Sequence, residues 1–231
     1  MTRAALDSEG LIGPFPLSRD GLACLAPLLA EVDSQLDACN DPRNLHERSG
    51  LARAVISDAA IRALVTSLFG TGYRLWRTNF FQRRCGSPHP GVGWHHDKHF
   101  QHADQPIDFH ECGAHLSLVI ALDAIDQRNG CFRYVPASHR GELPGFHRDP
   151  RPFDQRPLSD HFLSLPASLE ATAVELPIQA GHFCLFHSAL LHGSSPSTGD
   201  VARTSMVGRL VRSDCRIPPT CARPDQVLPF C

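Results

Sequence analysis

The sequence predicts a mainly β protein with flanking helices, of the sandwich or jelly-roll type. Two observations carry this prediction. Helical periodicity is confined to the first third of the chain, and from residue 73 onward short apolar runs alternate with turns rich in glycine and proline. Because 231 residues suit one medium domain, we expect a single domain over residues 1–231 with its β core at about 73–212.

Two helices are predicted in the first third. Residues 19–38 carry leucines and a valine at helical spacing, with Asp20 as a candidate cap. Residues 58–69 show a second helical pattern, with Ser57 or Asp58 before it and Gly70 just past its end.

The rest of the chain reads as strands. The predicted strands cover residues 73–83, 115–122, 131–135, 172–176, 182–187 and 203–212. The proline-rich stretch 141–170 is predicted to be a long surface insertion, and such loops often serve as lids or binding loops.

Composition excludes several classes of protein. The 22 Lys+Arg and 24 Asp+Glu residues give a formal net charge of -2, so nothing indicates a nucleic-acid or membrane-surface partner. The nine cysteines include no CxxC pair, which argues against a zinc ribbon and favours free thiols. The N-terminus does not read as a signal peptide and no apolar run is long enough to span a bilayer, so we expect a cytoplasmic protein.

The strongest local signal is Trp94-His95-His96-Asp97. On a strand, His95 and Asp97 point to the same face, so one imidazole and one carboxylate can meet one metal ion. His192 follows an apolar strand and is the candidate third ligand. Two histidines and one carboxylate form the facial triad of non-haem Fe(II) oxygenases.

Arg203 begins the next strand, eleven residues after His192. A strand that leaves a short turn runs back beside its partner, which places Arg203 near the metal but not on it. A guanidinium held there can bind a carboxylate in a bidentate manner, such as the far carboxylate of a metal-chelating 2-oxoacid.

These residues together resemble the phytanoyl-CoA dioxygenase (PhyH) family. The resemblance covers roughly residues 75–212 and includes His95-x-Asp97, Asn129-Gly130 through Pro136-Ala137-Ser138-His139, Gly181, His192-Gly193-Ser194 and Arg203. Two departures are Ala137, where the family usually has glycine, and Pro196-Ser197, where it usually has Pro-Asn. Neither position is a predicted metal ligand, so the departures concern loop geometry more than chemistry.

The resemblance implies a double-stranded β-helix, the cupin-like jelly roll, with Fe(II), 2-oxoglutarate and O2 as its cofactor, cosubstrate and oxidant. It implies His95, Asp97 and His192 as metal ligands and catalytic residues. For 2-oxoglutarate binding it implies Arg203, together with Gln82 and Ser117 on the strands before and after the HxD motif.

Asp97 also bears on the reaction type. Family members that halogenate lack this carboxylate, so its presence favours hydroxylation of an unactivated C–H bond of a small molecule, with release of succinate and CO2. We expect an amino-acid-like or secondary-metabolite substrate. Desaturation, cyclisation or epimerisation at the same iron site stays open, as does a non-catalytic cupin-like metal-binding protein, although Arg203 argues against the latter. The sequence indicates no oligomeric state.

Other polar residues receive structural interpretations. His96 alternates away from the ligand face, His139 is expected to satisfy backbone groups near its turn, and Arg133 and Arg209 are expected at the surface or rim. The His95–His99 spacing does not fit a zincin site, because His96 stands where that motif needs glutamate. The polar segment from Lys98 to His102 is either a rim for an anionic substrate or a solvated loop.

Overall fold

Two antiparallel sheets face each other in the computed structural model of the chain. The model describes residues 3–38, 43–86, 88–97, 114–141, 147–148, 161–215 and 228–231. The larger sheet has the strand order β1-β9-β4-β11-β2-β12, the smaller sheet has the order β3-β10-β5-β8, and β6 pairs with β7. The fold is the predicted jelly roll.

The strands vary widely in length. They are β1 Leu11–Pro16, β2 Tyr73–Arg83, β3 Val92–His95, β4 His115–Ala121, β5 Phe132–Tyr134, β6 His147–Arg148, β7 His161–Phe162, β8 Val174–Leu176, β9 His182–His187, β10 His192–Ser194, β11 Arg203–Arg212 and β12 Leu228–Pro229. The six predicted strands all form, with ends within about two residues of those predicted, a normal uncertainty for strand boundaries.

Most of the helices cover the outer face of the larger sheet. They are α1 Arg3–Glu9, α2 Arg19–Ala23, α3 Leu25–Ala38, α4 Gly50–Ile56, α5 Ala59–Phe69 and α6 Ala167–Glu170, with 3-10 turns at Leu45–Glu47 and Ser138–Arg140. Apolar residues of α3, α4 and α5, such as Leu28, Val55 and Ile61, pack on the sheet residues Met206 and Leu210. This layer is the main hydrophobic core.

The predicted helix 19–38 is two helices, because α2 ends at Ala23 with Cys24 as its C-cap, and α3 starts at Leu25. Its cap is Ser18 and not Asp20, since the Ser18 hydroxyl accepts a hydrogen bond from the Gly21 amide. The second predicted helix forms as α5, with Asp58 as the N-cap and Gly70 as the C-cap.

Strand β11 presents two different faces. Met206 and Leu210 lie in the core against the helices, whereas Val207 lies in a second core between the two sheets. Because side chains alternate along a strand, Arg203 and Arg209 share the inter-sheet side with Val207. The inner face of this central strand therefore carries an arginine on either side of an apolar middle.

The first third is mainly helical, but β1 joins the edge of the larger sheet beside β9. Most of the predicted lid at 141–170 lies outside the described residues, and the single domain over 1–231 stays a prediction. The six cysteines within the described ranges form no disulfide. Among the described residues, no helix has the length and apolar character needed to span a membrane.

Candidate functional site

The two predicted histidine ligands are direct neighbours across the smaller sheet. His192 of β10 pairs with His95 of β3, and their ring centroids lie 4.1 Å apart. Each Nδ1 lies 2.9 Å from a backbone carbonyl oxygen two residues earlier, that of Gly93 or Leu190. A carbonyl only accepts, so each Nδ1 carries the proton and each neutral ring keeps its Nε2 lone pair for a metal.

Asp97 completes the cluster from just beyond the end of β3. Its backbone N–H donates to the Ser188 carbonyl over 2.7 Å, which fixes the chain at this point. One ligand atom from each of His95, Asp97 and His192 lies within 4.8 Å of the others. The donor set of two imidazoles and one carboxylate fits a non-haem iron centre.

Two largely buried side chains bind the Asp97 carboxylate. Arg209 donates from Nη2 to Oδ1 over 2.7 Å and its Nη1 forms an ion pair with Oδ2 at 2.6 Å, and the Ser117 hydroxyl donates to Oδ2 over 2.7 Å. Burial raises the pKa of Asp97, but Arg209, the two histidines and Ser117 together hold it well below its usual range. The expectation that Arg209 lies at the rim is wrong, because only 11% of its side chain is exposed.

Aromatic rings enclose His192. Phe132 stacks on its ring at 5.7 Å between centroids, and Phe186 meets it edge-on at 4.8 Å. This burial lowers the pKa of His192 to about 3, and burial lowers that of His95 as well. Both rings are therefore neutral at neutral pH, the state that binds a metal ion.

Arg203 lies in a second polar region of the same inter-sheet face. It is 5% exposed, and its Nε has no hydrogen-bond partner among the residues that the structure describes. Burial, followed by the nearby charge of Arg83, lowers the pKa of Arg203 to about 9, so it remains a cation at neutral pH. A buried cation without an acidic partner is costly, so this geometry favours an anionic ligand.

Arg83 faces Arg203 across the β2–β11 ladder. Its guanidinium donates to the Asn129 and Ser195 carbonyls over 3.0 and 2.9 Å and to the Ser194 hydroxyl over 2.6 Å. A Cβ on Gly130 would lie 1.4 Å from Arg83 Nη1. The glycine of the Asn129-Gly130 motif therefore leaves space for the Arg83 guanidinium. The sequence reasoning missed Arg83, although alternation along β2 places it on the inner face.

The predicted cosubstrate residues divide into two groups. Ser117 lies in the cluster, as described above. Gln82 does not, because it lies on the helix side of β2 and donates to Asp33 of α3. The amide of β2 on the inner face is Asn79, which stands opposite Val207 of β11 and accepts a bond from Arg77 over 3.2 Å. Positions 79 and 82 are an odd number apart, so they face opposite sides.

The remaining predicted residues are structural or undescribed. His139 Nε2 and Arg140 Nε both donate to the Asp7 carbonyl, over 3.1 and 2.7 Å, and so tether α1. Arg133 lies 4.2 Å above the ring of Trp94, outside the cluster. His96 is buried. The segment from Lys98 to His102 lies outside the described residues.

Comparison with protein families identifies a match over most of the chain. The profile of the family described as Phytanoyl-CoA dioxygenase (PhyH) matches residues 28–205. Phytanoyl-CoA dioxygenase domain-containing protein 1 of Mus musculus is 28% identical over 191 residues, which are 80% of this chain and 62% of the mouse protein. Its homolog in Caenorhabditis briggsae is 31% identical over 101 residues, which are 42% of this chain and 33% of that protein. The chain thus spans less than two thirds of these relatives.

Solved structures share the fold at low sequence identity. EctD from S. alaskensis with bound Fe has a TM-score of 0.71 at 17% identity, covering 99% of this chain and 84% of EctD. The epimerase SnoN in complex with Fe3+, alpha-ketoglutarate and nogalamycin RO has a TM-score of 0.69 at 19% identity, covering 96% of this chain and 91% of SnoN. At such identities the likeness establishes the jelly roll alone.

Proposed function

This chain belongs to the phytanoyl-CoA dioxygenase family, and from that premise we propose that it is a non-haem Fe(II)- and 2-oxoglutarate-dependent dioxygenase. Its reaction is hydroxylation of an unactivated C–H bond of a small molecule. The substrate is of the amino-acid-like or secondary-metabolite type, and the coproducts are succinate and CO2.

The observation that carries this proposal is the placement of two sites on one inner face. The cluster of two histidines and one aspartate is held through Arg209 of β11. The buried Arg203 begins the same strand and shares its inward face. Between them Val207 packs with Phe132 and Phe186 in the inter-sheet core. A metal-chelating dicarboxylate fits this combination of metal ligands, apolar walls and a distant cation.

The three ligand side chains already have the protonation state and the hydrogen bonds that iron binding needs. His95 and His192 offer neutral Nε2 atoms, and Asp97 offers a carboxylate that two hydrogen-bond donors already orient. When bound, iron supplies O2 activation coupled to oxidative decarboxylation of 2-oxoglutarate, in which one oxygen atom enters succinate and the other the substrate. The phenylalanines around His192 exclude water from the ligand sphere.

The cationic pair at the other end binds the cosubstrate in this proposal. Arg203 receives the far carboxylate of 2-oxoglutarate, and Arg83, held by the 129–130 and 194–195 turns, adds a second positive charge. His89 adds none at neutral pH, because burial and the two arginines lower its pKa to about 4. Asn79 takes the role of inward amide that the sequence assigned to Gln82.

Assays for succinate and O2 uptake test the proposal. Purified protein with Fe(II), 2-oxoglutarate and air should form succinate and consume O2, and His192→Ala should abolish both while circular dichroism shows a retained fold. Arg133→Met, a change outside the cluster, should keep the activity. Metal binding without any 2-oxoglutarate turnover would support the non-catalytic alternative.

Product analysis separates the possible outcomes at this iron site. With the native substrate, hydroxylation adds one oxygen atom, desaturation or cyclisation removes two hydrogens, and epimerisation leaves the mass unchanged. Because Asp97 occupies the position that a halide would need, no chlorinated product is expected even in high chloride. A chlorinated product would mean that Asp97 is not an iron ligand.

A further inference from the structure

We propose that Arg209 is a positioning residue for the metal centre, which, with Ser117, holds the Asp97 carboxylate in the orientation of a ligand. This inference rests on the proposed function only in requiring that the cluster binds a metal ion. It concerns a residue whose side chain contacts a metal ligand and not the metal itself.

The Asp97 carboxylate is held by several contacts at once. Arg209 uses both terminal nitrogens on the two carboxylate oxygens of Asp97, over 2.6 and 2.7 Å. Ser117 donates to one of those oxygens over 2.7 Å and accepts from Arg209 Nη1 over 3.1 Å. The three side chains form a closed hydrogen-bonded triangle, which restricts rotation of the carboxylate far more than one contact does.

Asp97 differs from the two histidines in its position in the fold. The two histidines lie on paired strands, and each is oriented by a carbonyl of its own chain segment. Asp97 lies beyond the end of β3, so the strand ladder does not orient its side chain. Its orientation comes instead from β4 and β11 of the opposite sheet, which carry Ser117 and Arg209. Each of the three ligand side chains is therefore oriented by a hydrogen-bond partner.

Two alternative roles for Arg209 explain its contacts less well. An arginine that binds the carboxylate of a substrate or cosubstrate needs free terminal nitrogens. Both terminal nitrogens of Arg209 already contact Asp97. A purely structural link between sheets is a weak explanation, because a buried ion pair is commonly replaced by apolar side chains without loss of stability. Orientation of a metal ligand accounts for the bidentate geometry and for the inclusion of Ser117.

Metal titration is the main test. Co(II) binding to the full chain without 2-oxoglutarate is followed by calorimetry and by the ligand-field absorption of Co(II), which reports coordination geometry. Arg209→Met should weaken binding about 10- to 100-fold and change the Co(II) spectrum, and Ser117→Ala should weaken it less. Arg209→Lys, which keeps the charge but not the fork, should fall between wild type and Arg209→Met. Arg133→Met is the matched control and should bind like wild type.

A rescue experiment separates positioning from a general structural role. In Asp97→Ala, Arg209 and Ser117 face the space left by the carboxylate, so added formate should restore part of the Co(II) affinity. Formate should not restore it in Asp97→Ala/Arg209→Met. Rescue that is equal in both backgrounds, or no rescue in Asp97→Ala, would overturn the proposal.

The outcomes distinguish this inference from the proposed function. If wild type binds no metal, both fail. If wild type and folded Arg209→Met bind Co(II) equally, with equal spectra, only this inference fails. Should Arg209→Met not fold, Arg209→Lys and Ser117→Ala decide, and wild-type affinity in both would overturn it. Tight, Arg209-dependent metal binding without 2-oxoglutarate turnover would support this inference and refute the proposed function.

Discussion

Two arginines on strand β11 share one face and are both largely buried, but the charges beside them have opposite signs. Arg209 is neutralised from within the protein by a bidentate pair with Asp97. Arg203 is also buried, yet among the described residues the charge that shifts its pKa most is that of another cation, Arg83. Because burying an uncompensated charge is expensive, the difference indicates which part of the site is complete in the folded chain and which part awaits a ligand.

Removing the satisfied arginine should have the largest effect on stability. Arg209→Met leaves Asp97 as a buried carboxylate with one neutral donor, so the free energy of unfolding should fall by about 3–5 kcal/mol. Urea denaturation of the metal-free protein at pH 7 measures the change. A loss below about 1 kcal/mol would show that the pair is not buried as the structure has it.

Removing the unsatisfied arginine should instead affect ligand binding. Arg203→Met should weaken 2-oxoglutarate binding by about 2–5 kcal/mol, or tens- to thousands-fold, because the carboxylate loses its charged partner. Anaerobic titration of the metal-loaded protein with 2-oxoglutarate provides the measurement. Metal affinity should not change. Unaltered 2-oxoglutarate affinity would move the clamp to another arginine, with Arg83 the first to test.

The same substitution should make the ligand-free protein more stable. Arg203→Met replaces a buried cation, which has no acidic partner among the residues that the structure describes, with an apolar side chain of similar length, so the free energy of unfolding should rise by about 1–2 kcal/mol. The sign is opposite to that for Arg209→Met, and urea denaturation of both variants side by side tests it. Two changes of the same sign would contradict the comparison.

Lowering the pH should reduce the difference in free energy of unfolding between wild type and Arg209→Met. In wild type, Arg209 helps to hold the pKa of Asp97 below its usual range, so the carboxylate stays ionised between pH 7 and 5. In the variant, burial still raises the pKa of Asp97 while only the two histidines and Ser117 lower it, so the folded state takes up a proton more readily as the pH falls and gains stability relative to the unfolded state. Between pH 7 and 5 the difference should shrink by about 1 kcal/mol, and a constant difference would contradict this.

Local patterns predicted much of the site. The HxD spacing, the position of His192 and the strand start at Arg203 are features of short segments, and the structure brings the first two together in one cluster. Gln82 was misplaced because alternation on β2 puts position 79, not 82, on the inner side. Strand β10 was missed because three residues give no periodic signal.

Long-range contacts were beyond local patterns. An even spacing from Arg203 puts Arg209 on the inner face of the larger sheet. Its partner Asp97, however, lies 112 positions away in sequence and follows a strand of the smaller sheet. No feature of the segment around Arg209 distinguishes a residue paired in this way from one at the rim. The division of the first predicted helix at Cys24 was hidden in the same way, because apolar spacing continues across the break.

The contact between Gly130 and Arg83 has a consequence for how this sequence can diverge. Gly130 has φ +87°, a conformation that asparagine or aspartate also tolerates, but the Arg83 guanidinium occupies the place of any Cβ at that position. The two positions, 47 residues apart in sequence, are therefore constrained jointly. Relatives that keep arginine at position 83 should therefore keep glycine at 130, and a shorter residue at 83 does not by itself free position 130, because a Cβ there would also lie 2.6 Å from the Ser195 carbonyl oxygen.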